Sequence, residues 1–312
     1  MKHILFIGYS NLLRKRILPI LQHTPFTQIS IAKHESQNWE SDEVSFTKYD
    51  NFEDAFNQCT PDIVYISTIN STHYKLALRA LNLGFHVIVD KPSTLNFADT
   101  AHLVETAKKN GQLVCESTVY LNHPQFKAID DVLKSKSMTP KHITVHFSFP
   151  PLPAGNFRYK ANEGGGAIYD TGPYTVSIGR YFFNEVPTDV SIDIHEQTDE
   201  VDTAYSALLR YKNGKSVMAF CSFNTEYINR INILGNNFLI DLDRVFTIPD
   251  DFENSISFRS NNKTEIIVAN KGNAFLLFFM DVAEVLEQKK YDAFYQKMLI
   301  DSETIQKLNN KK

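Results

Sequence analysis

Cysteine is scarce in this chain, and its scarcity excludes two classes at once. The three residues Cys59, Cys115 and Cys221 are odd in number and far apart, which is no disulfide framework, and no Cys/His group has the spacing of metal ligands. They are expected to be reduced and structural, and no metal is expected. Long apolar runs are missing too. The longest after the N-terminus, AFLLFFM from Ala274 to Met280, falls far short of the roughly 20 residues that cross a bilayer. The start, MKHILFIGYS, is too short for a secretory signal and passes into the polar stretch Asn11 to Arg16 rather than a small-residue cleavage site. A cytoplasmic protein is expected. Neither sign of charge dominates: Lys and Arg number 32 against 36 Asp and Glu, a formal net charge of -4. Nothing there favours nucleic acid or an anionic membrane. A small-molecule partner is the class that remains.

A chain of 312 residues suits two domains of ordinary size. Ile4 to Ile7 is a continuous apolar run closed by Gly8, the pattern of a strand buried on both faces. Leu12, Leu13, Ile17, Ile20 and Leu21 follow at helical spacing, with Pro19 predicting a kinked or short helix. Ile29 and Ile31 mark a strand, Asp50 to Gln58 a helix, Ile63 to Ile66 a strand, Thr72 to Leu83 a helix ended by Gly84, and His86 to Val89 a strand. Asn96 to Asn110, stopped by Gly111, is the next helix and Leu113 to Glu116 the next strand. Such alternation specifies a doubly wound parallel sheet of the Rossmann kind, which binds ligands at the carboxyl ends of its strands. That rule selects Gly8, Lys33, Ser67 to Asn70 and Asp90 to Pro92.

From about Lys141 the texture changes. Ile143, Val145, Phe147 and Phe149 alternate with Thr144, His146 and Ser148, as in a strand with one half-polar face. Further strands are predicted at Asp189 to Ile194, Thr203 to Tyr211, Ser216 to Phe223 and Ile228 to Leu234, with a hairpin turn at Lys212 to Lys215. Helices at Ala167 to Phe183, Asn273 to Gln288 and Tyr295 to Leu308 should cover one face of this sheet. The expectation is an α+β domain with a mostly antiparallel, open-faced sheet over residues 119–312, after a dinucleotide-binding domain over residues 1–118.

Each candidate motif has a plain structural alternative. Gly8-Tyr9-Ser10-Asn11-Leu12-Leu13 stands where a dinucleotide fold carries G-x-G-x-x-G, but only the first glycine is present, and an ordinary strand-to-helix turn explains it as well. Ser10 still offers a hydroxyl to a phosphate. Ile31-Ala32-Lys33-His34 lacks the acidic residue that usually reads the ribose of NAD at the end of the second strand. A lysine there suits the extra phosphate of NADP, or is simply an exposed loop residue. Asp90-Lys91-Pro92 follows a buried strand, and the proline keeps Lys91 out of helical geometry at the sheet edge. The run Glu163-Gly164-Gly165-Gly166-Ala167-Ile168-Tyr169-Asp170-Thr171-Gly172-Pro173-Tyr174 places Asp170 and Tyr174 four apart on one helix face. Alone it reads equally as a loop followed by a helix of core aromatics.

Together, Asp90-Lys91-Pro92 and the GGGxxxDxGxY run resemble the glucose-fructose oxidoreductase and inositol dehydrogenase family (Gfo/Idh/MocA). The resemblance extends over essentially the whole chain. Ser67-Thr68-Ile69-Asn70-Ser71-Thr72-His73 is similar to that family's loop after the third parallel strand, and Glu116 through Tyr120 to His123-Pro124 is similar to its crossing segment. In the family the acidic-Lys-Pro lysine lies near the nicotinamide, and the Asp and final His of DxGxH line the reacting centre. Here Asp90 replaces the commoner Glu and Tyr174 replaces the His, a version found in glucose-fructose oxidoreductase, diol dehydrogenases and nucleotide-sugar 3-ketoreductases. Phe149-Pro150-Pro151-Leu152-Pro153 leading into Asn156-Phe157-Arg158-Tyr159 looks most like the ketoreductase branch.

The resemblance implies an NAD(P)-dependent oxidoreductase acting on CH-OH/C=O groups, with NADP favoured and NAD possible. Gly8, Ser10, Asn11, Leu12, Lys33, Ser67, Thr68, Asn70, His73, Asp90 and Lys91 are its expected cofactor residues. Tyr174 is the expected proton donor to a sugar carbonyl, assisted by Lys91, whose charge both lowers a tyrosine pKa and stabilises the developing alkoxide. Asp170 either anchors a substrate hydroxyl or orients Lys91. Arg158 is expected to pair with a phosphate of cofactor or nucleotide-sugar. Tyr120 is expected to line the substrate side, as is His123, although His123 reads as well as a packed structural histidine. The alternatives are a dehydrogenase of a free sugar, polyol or diol, and a dinucleotide-binding protein without turnover. The family also implies a homodimer or homotetramer through the second sheet.

Overall fold

Apolar runs with no polar alternation have to be covered on both faces, and in the structure they are. A computed structural model of the chain describes residues 3–40 and 44–312. Ile4, Leu5, Phe6, Ile7, Ile63, Val64, Tyr65, Ile66, Val87, Ile88 and Val89 have no exposed surface. They belong to β1 (His3–Ile7), β4 (Ile63–Ile66) and β5 (His86–Val89), which form a six-stranded parallel sheet with β2 (Gln28–Ala32), β3 (Thr47–Tyr49) and β6 (Val114–Glu116), in the order β3-β2-β1-β4-β5-β6. The order reverses between β1 and β4, which makes that sheet edge the switch point where such folds bind ligands. The three-residue edge strand β3 has no hydrophobic signature and was not anticipated.

The helices of this unit begin and end where their caps dictate. Asn51 and Asn96 accept from the backbone amides of Asp54 and Asp99, opening α1 (Phe52–Gln58) and α3 (Phe97–Asn110). Gly111, at φ 67°, closes α3; α2 (His73–Asn82) lies between them. The helix expected after β1 is broken at its proline: residues Leu13–Ile17 form one wide π-type turn and Leu18–His23 a 3₁₀ segment that admits Pro19 at its start.

The second unit has an eight-stranded sheet of β7 (Pro140–Ser148), β8 (Asp189–Gln197), β9 (Asp202–Arg210), β10 (Ser216–Ser222), β11 (Ile228–Gly235), β12 (Phe238–Asp243), β13 (Asn254–Ser260) and β14 (Lys263–Ala269). The order is β14-β13-β12-β11-β7-β10-β9-β8, antiparallel except for β7 against β10. This is the mostly antiparallel sheet expected from the alternation. Ile143, Val145 and Phe147 face inward, and α5 (Ala167–Phe183) packs against β7, β9 and β10, while α4 (Pro124–Ser135) packs against β14. The other face is open and carries Met218, Ile228, Leu234 and Ile266. Strands β12 to β14 extend the sheet beyond the predicted set; their turns use Asn237, Asn261 and Asn262 at positive φ, a conformation asparagine tolerates.

The chain divides into two compact units, Met1–Ser117 with Phe275–Leu299 and Thr118–Ala274 with Ile300–Lys312. The helices α6 (Ala274–Gln288) and α7 (Asp292–Asn309) correct the expectation that both would lie on the second sheet. Phe279 of α6 packs 5.9 Å from the rings of both Phe26 and Tyr65 in the first unit. An all-round apolar helix matches either sheet, so its composition could not say which one it covers. Residue 301, later in α7, belongs to the second unit, where both carboxylate oxygens of Asp301 accept from Arg180 Nε at 2.8 and 2.9 Å. No helix among the described residues is long and apolar enough to cross a membrane.

Two predictions follow from burial. Arg180 and Asp301 are 5% and 7% exposed at their side chains, so Asp301→Ala removes the carboxylate partner of a buried guanidinium. It is expected to cost about 3–5 kcal/mol, measured by urea unfolding; a loss below about 1 kcal/mol would show that the pair is not needed to hold α7. His3 and His86, which open β1 and β5, are held below the ordinary imidazole value of 6.5 by burial. A group with a depressed folded pKa binds more protons when unfolded, so its contribution is complete above pH 6.5 and is lost as the pH falls. The urea midpoint is therefore expected to drop between pH 7.5 and pH 5.5, and a level midpoint over that range would contradict it.

Candidate active site

In the first unit the carboxyl ends of the strands are tied together by one side chain. Asp90, directly after β5, accepts from Tyr65 OH at 2.5 Å, Ser67 Oγ at 2.6 Å and Ser117 Oγ at 3.0 Å. These donors come from β4, the loop after β4, and the residue after β6. Burial, and then the Asp90 charge, push the Tyr65 hydroxyl well above its ordinary pKa, so it stays a donor. Ser67 Oγ also lies 2.7 Å from Ser10 Oγ, and Ser10 Oγ accepts from the Leu13 amide at 3.0 Å. The chain of contacts thus runs from the glycine turn to the residue preceding Lys91.

Gly8 is required by the strand geometry itself. Its φ is 108°, and a Cβ there would lie 2.1 Å from the Ser67 carbonyl oxygen. Beyond it, Asn11 accepts from Arg14 through Oδ1, and Leu12 leads into the π-type turn. Thr68 Oγ1 meets Thr72 Oγ1 at 2.7 Å, and Asn70 is buried. The fully buried ring of His73 spans two loops, with Nδ1 2.8 Å from Pro92 O and Nε2 3.1 Å from Thr68 O. Burial lowers its pKa. Glu116 Oε2 accepts from the Ser93 amide at 2.7 Å, so the loop carrying Lys91 is held on both sides.

The end of β2 differs from its sequence reading. Lys33 was expected to stand there without a carboxylate, but β3 runs parallel to β2 with Tyr49 opposite Ala32, which sets Asp50 beside Lys33. Lys33 Nζ lies 3.2 Å from Asp50 Oδ1, and the Trp39 indole N–H donates to the same oxygen at 2.9 Å. Trp39 in turn packs against Tyr9 of the glycine turn, ring centroids 4.9 Å apart. Asp50 and Trp39 were missed because the strand that positions Asp50 is short and polar.

In the second unit the glycine run exists for close backbone approach. A Cβ on Gly165 would lie 2.5 Å from Arg158 O, and Gly166, at φ 111°, donates its amide to that same carbonyl at 2.9 Å. This pins residues 157–159 against the start of α5, where Asp202 accepts from the Ile168 amide at 2.8 Å. Arg158 Nε lies 2.8 Å from Asp170 Oδ2, with Asp170 7% exposed at its side chain. Burial opposes the guanidinium charge, but Asp170 outweighs it and raises the Arg158 pKa. Arg158 is therefore paired with a carboxylate of its own unit.

One turn after Asp170, the ring of Tyr174 is held edge-on by Phe147 at 4.9 Å and Tyr120 at 5.6 Å, and is tilted against Phe246 at 5.0 Å. Tyr120 OH pairs with Ser177 Oγ at 2.7 Å on the same helix. Phe246, in the loop after β12, carried no recognisable signal. His123 is buried at the start of α4, its Nδ1 accepting from the Gln125 amide, and its Nε2 has no hydrogen-bond partner among the described residues. Of the proposed reacting pair, Lys91 belongs to the first unit and Tyr174 to the second.

Comparison with known proteins identifies the family. Residues 2–118 match the oxidoreductase family with an NAD-binding Rossmann fold (GFO_IDH_MocA), and residues 132–240 match the GFO/IDH/MocA C-terminal domain. The chain is 25% identical over 269 residues to the dTDP-3,4-didehydro-2,6-dideoxy-alpha-D-glucose 3-reductase of Actinomadura kijaniata, covering 84% of this chain and 80% of that one. It is 31% identical over 194 residues to the enzyme of the same name from Saccharopolyspora spinosa, covering 62% and 58%. In fold it is similar to a 3-ketoreductase from Actinomadura kijaniata in complex with NADP and TDP-benzene, with TM-score 0.90, 22% identity, and 99% and 97% coverage. With both domain models matched in order, the chain belongs to the GFO/IDH/MocA family of NAD(P)-dependent oxidoreductases.

Proposed function

We propose that this protein reduces the carbonyl of a nucleotide-sugar with NADPH, Tyr174 giving the proton and Lys91 assisting. The observation that carries the reading is the seating of Tyr174: a phenol fixed by three aromatic rings, one helical turn after a carboxylate already paired with arginine. A side chain so confined is aimed rather than mobile, as proton delivery requires. The similarity to dTDP-sugar 3-reductases, over 84% of this chain in one case, supports the nucleotide-sugar class.

The first unit fits a dinucleotide. Gly8 leaves the backbone bare at the switch point, and the hydroxyl-rich ends of β1 and β4 offer donors around it. NADPH, when bound there, would supply the hydride. Gly8, Ser10, Asn11, Leu12, Lys33, Ser67, Thr68, Asn70, His73 and Asp90 are the residues we assign to holding it. Ser10 and Ser67 do so partly through each other, and His73 and Asp90 by fixing the loop of Lys91. Tyr174 donates its phenolic proton to the oxygen that becomes a hydroxyl, and the Lys91 ammonium steadies the charge on that oxygen until the proton arrives. Asp170 keeps Arg158 in place, and Arg158, Tyr120 and His123 belong to the substrate side. The open face of the second sheet, with Met218, Leu234 and Ile266 exposed, fits pairing into a dimer or tetramer, and we place the enzyme in the cytoplasm.

Tyr174→Phe and Lys91→Ala are each expected to lower kcat by about 10²-fold or more in single-turnover hydride transfer, with NADPH binding retained in Tyr174→Phe. Full activity in either variant would remove this mechanism. Screening dTDP-keto sugars against free sugars and polyols tests the substrate class; turnover confined to free sugars or polyols would replace the reductase with a dehydrogenase of that class.

A further inference from the structure

The end of β2 shows two opposite charges of very different accessibility. Lys33 is 9% exposed at its side chain and Asp50 77%. The ammonium is enclosed, lying 5.9 Å from the centroid of Trp39 and within reach of Asp50 through both its carboxylate and its main-chain oxygen. The carboxylate faces solvent. Its charge is kept by the Trp39 N–H first and by Lys33 second, which together lower the Asp50 pKa. What an incoming ligand meets at this strand end is therefore a carboxylate with a compensated lysine behind it.

The end of the second strand is where a dinucleotide fold meets the adenosine ribose, and the two cofactors differ there by one phosphate. A carboxylate accepts hydrogen bonds from the two ribose hydroxyls of NAD(H) but repels the 2′-phosphate of NADP(H). An ammonium does the reverse. We propose that Asp50, delivered from the neighbouring strand β3, is the residue that sets the balance between NADP and NAD in this enzyme: it takes the place of the missing carboxylate of β2 and draws Lys33 away from a 2′-phosphate. This rests on the assignment of the first unit as the cofactor domain. Lys33 alone would make the site a one-sided NADP reader; with Asp50 beside it, the site admits NAD as well.

The test is calorimetric titration of the full-length protein with NADPH and with NADH. Wild type is compared with Asp50→Asn and with Asp50→Ser, which drops the charge but keeps a hydroxyl for the Trp39 N–H. Both substitutions are at an exposed side chain and leave the core intact. The expected result is that both variants shift the ratio of the two dissociation constants toward NADPH by about tenfold, the size of effect that removing a like charge within about 4–6 Å produces. NADH binding weakens and NADPH binding tightens. A ratio that stays within twofold of wild type, with both cofactors still bound, overturns the role of Asp50 alone. Failure of the wild-type protein to bind either cofactor overturns the cofactor assignment and the proposal with it.

Discussion

The ends of three strands of the first unit, β4, β5 and β6, meet at the Asp90 carboxylate, which accepts from Tyr65, Ser67 and Ser117. Its hydroxyl donors at 2.5 and 2.6 Å are in the range of charge-assisted O–H···O⁻ bonds, which are roughly twice as strong as neutral ones. A carboxylate accepts through two oxygens with about four lone-pair directions, enough for Tyr65, Ser67 and Ser117 together. The backbone ladder sets the register of these strands, and the shared acceptor at the carboxyl edge ties their ends together. Because Lys91 is the next residue in the chain, the position of the proposed catalytic ammonium follows from how well Asp90 is held. His73 on Pro92 O and Glu116 on the Ser93 amide restrain the other side of the same loop.

The second unit uses a different constraint for the same end. Here a tight backbone crossing takes the place of a shared acceptor: Arg158 O receives the Gly166 amide and leaves no room for a Cβ on Gly165. Two glycines thereby bring the Arg158 side chain to Asp170, and the ion pair compensates a buried carboxylate. Asp170 sits in the first turn of α5, where the helix dipole adds to its stabilisation. The Tyr174 ring, on the same helix, is then seated among Phe147, Tyr120 and Phe246.

The parts of this molecule that were legible from sequence are those where one residue type has one physical use. Continuous runs such as Ile63 to Ile66 could only be doubly covered strands, Gly111 after a helical pattern could only be a left-handed cap, and the spacing of Asp170 and Tyr174 put both on one face of α5. What stayed hidden depends on partners distant in the chain. The strand β3 reads as polar loop, so Asp50 could not be placed beside Lys33. Phe246 reaches Tyr174 from a segment with no pattern, and Asp202 caps a helix that begins 35 residues before it. The apolar α6 satisfies either sheet by composition, and only its packing on Phe26 and Tyr65 decides.

The shortened glycine motif has a structural counterpart in the same network. In a full G-x-G-x-x-G turn the second glycine opens the backbone to the pyrophosphate and the third lets the helix pack closely on the strand. Here the second glycine is absent, and Ser10 bonds to Ser67 while accepting from the Leu13 amide. The third is replaced by Leu13, which is fully buried, and the segment that follows is a wide π-type turn instead of a close α-helix. A wider turn needs no glycine for close packing, so the two departures from the motif are linked: a large residue at the third position is tolerated because the backbone there is not a standard helix. Only Gly8 has no substitute, since its conformation is set by the meeting of β1 and β4 and not by a ligand.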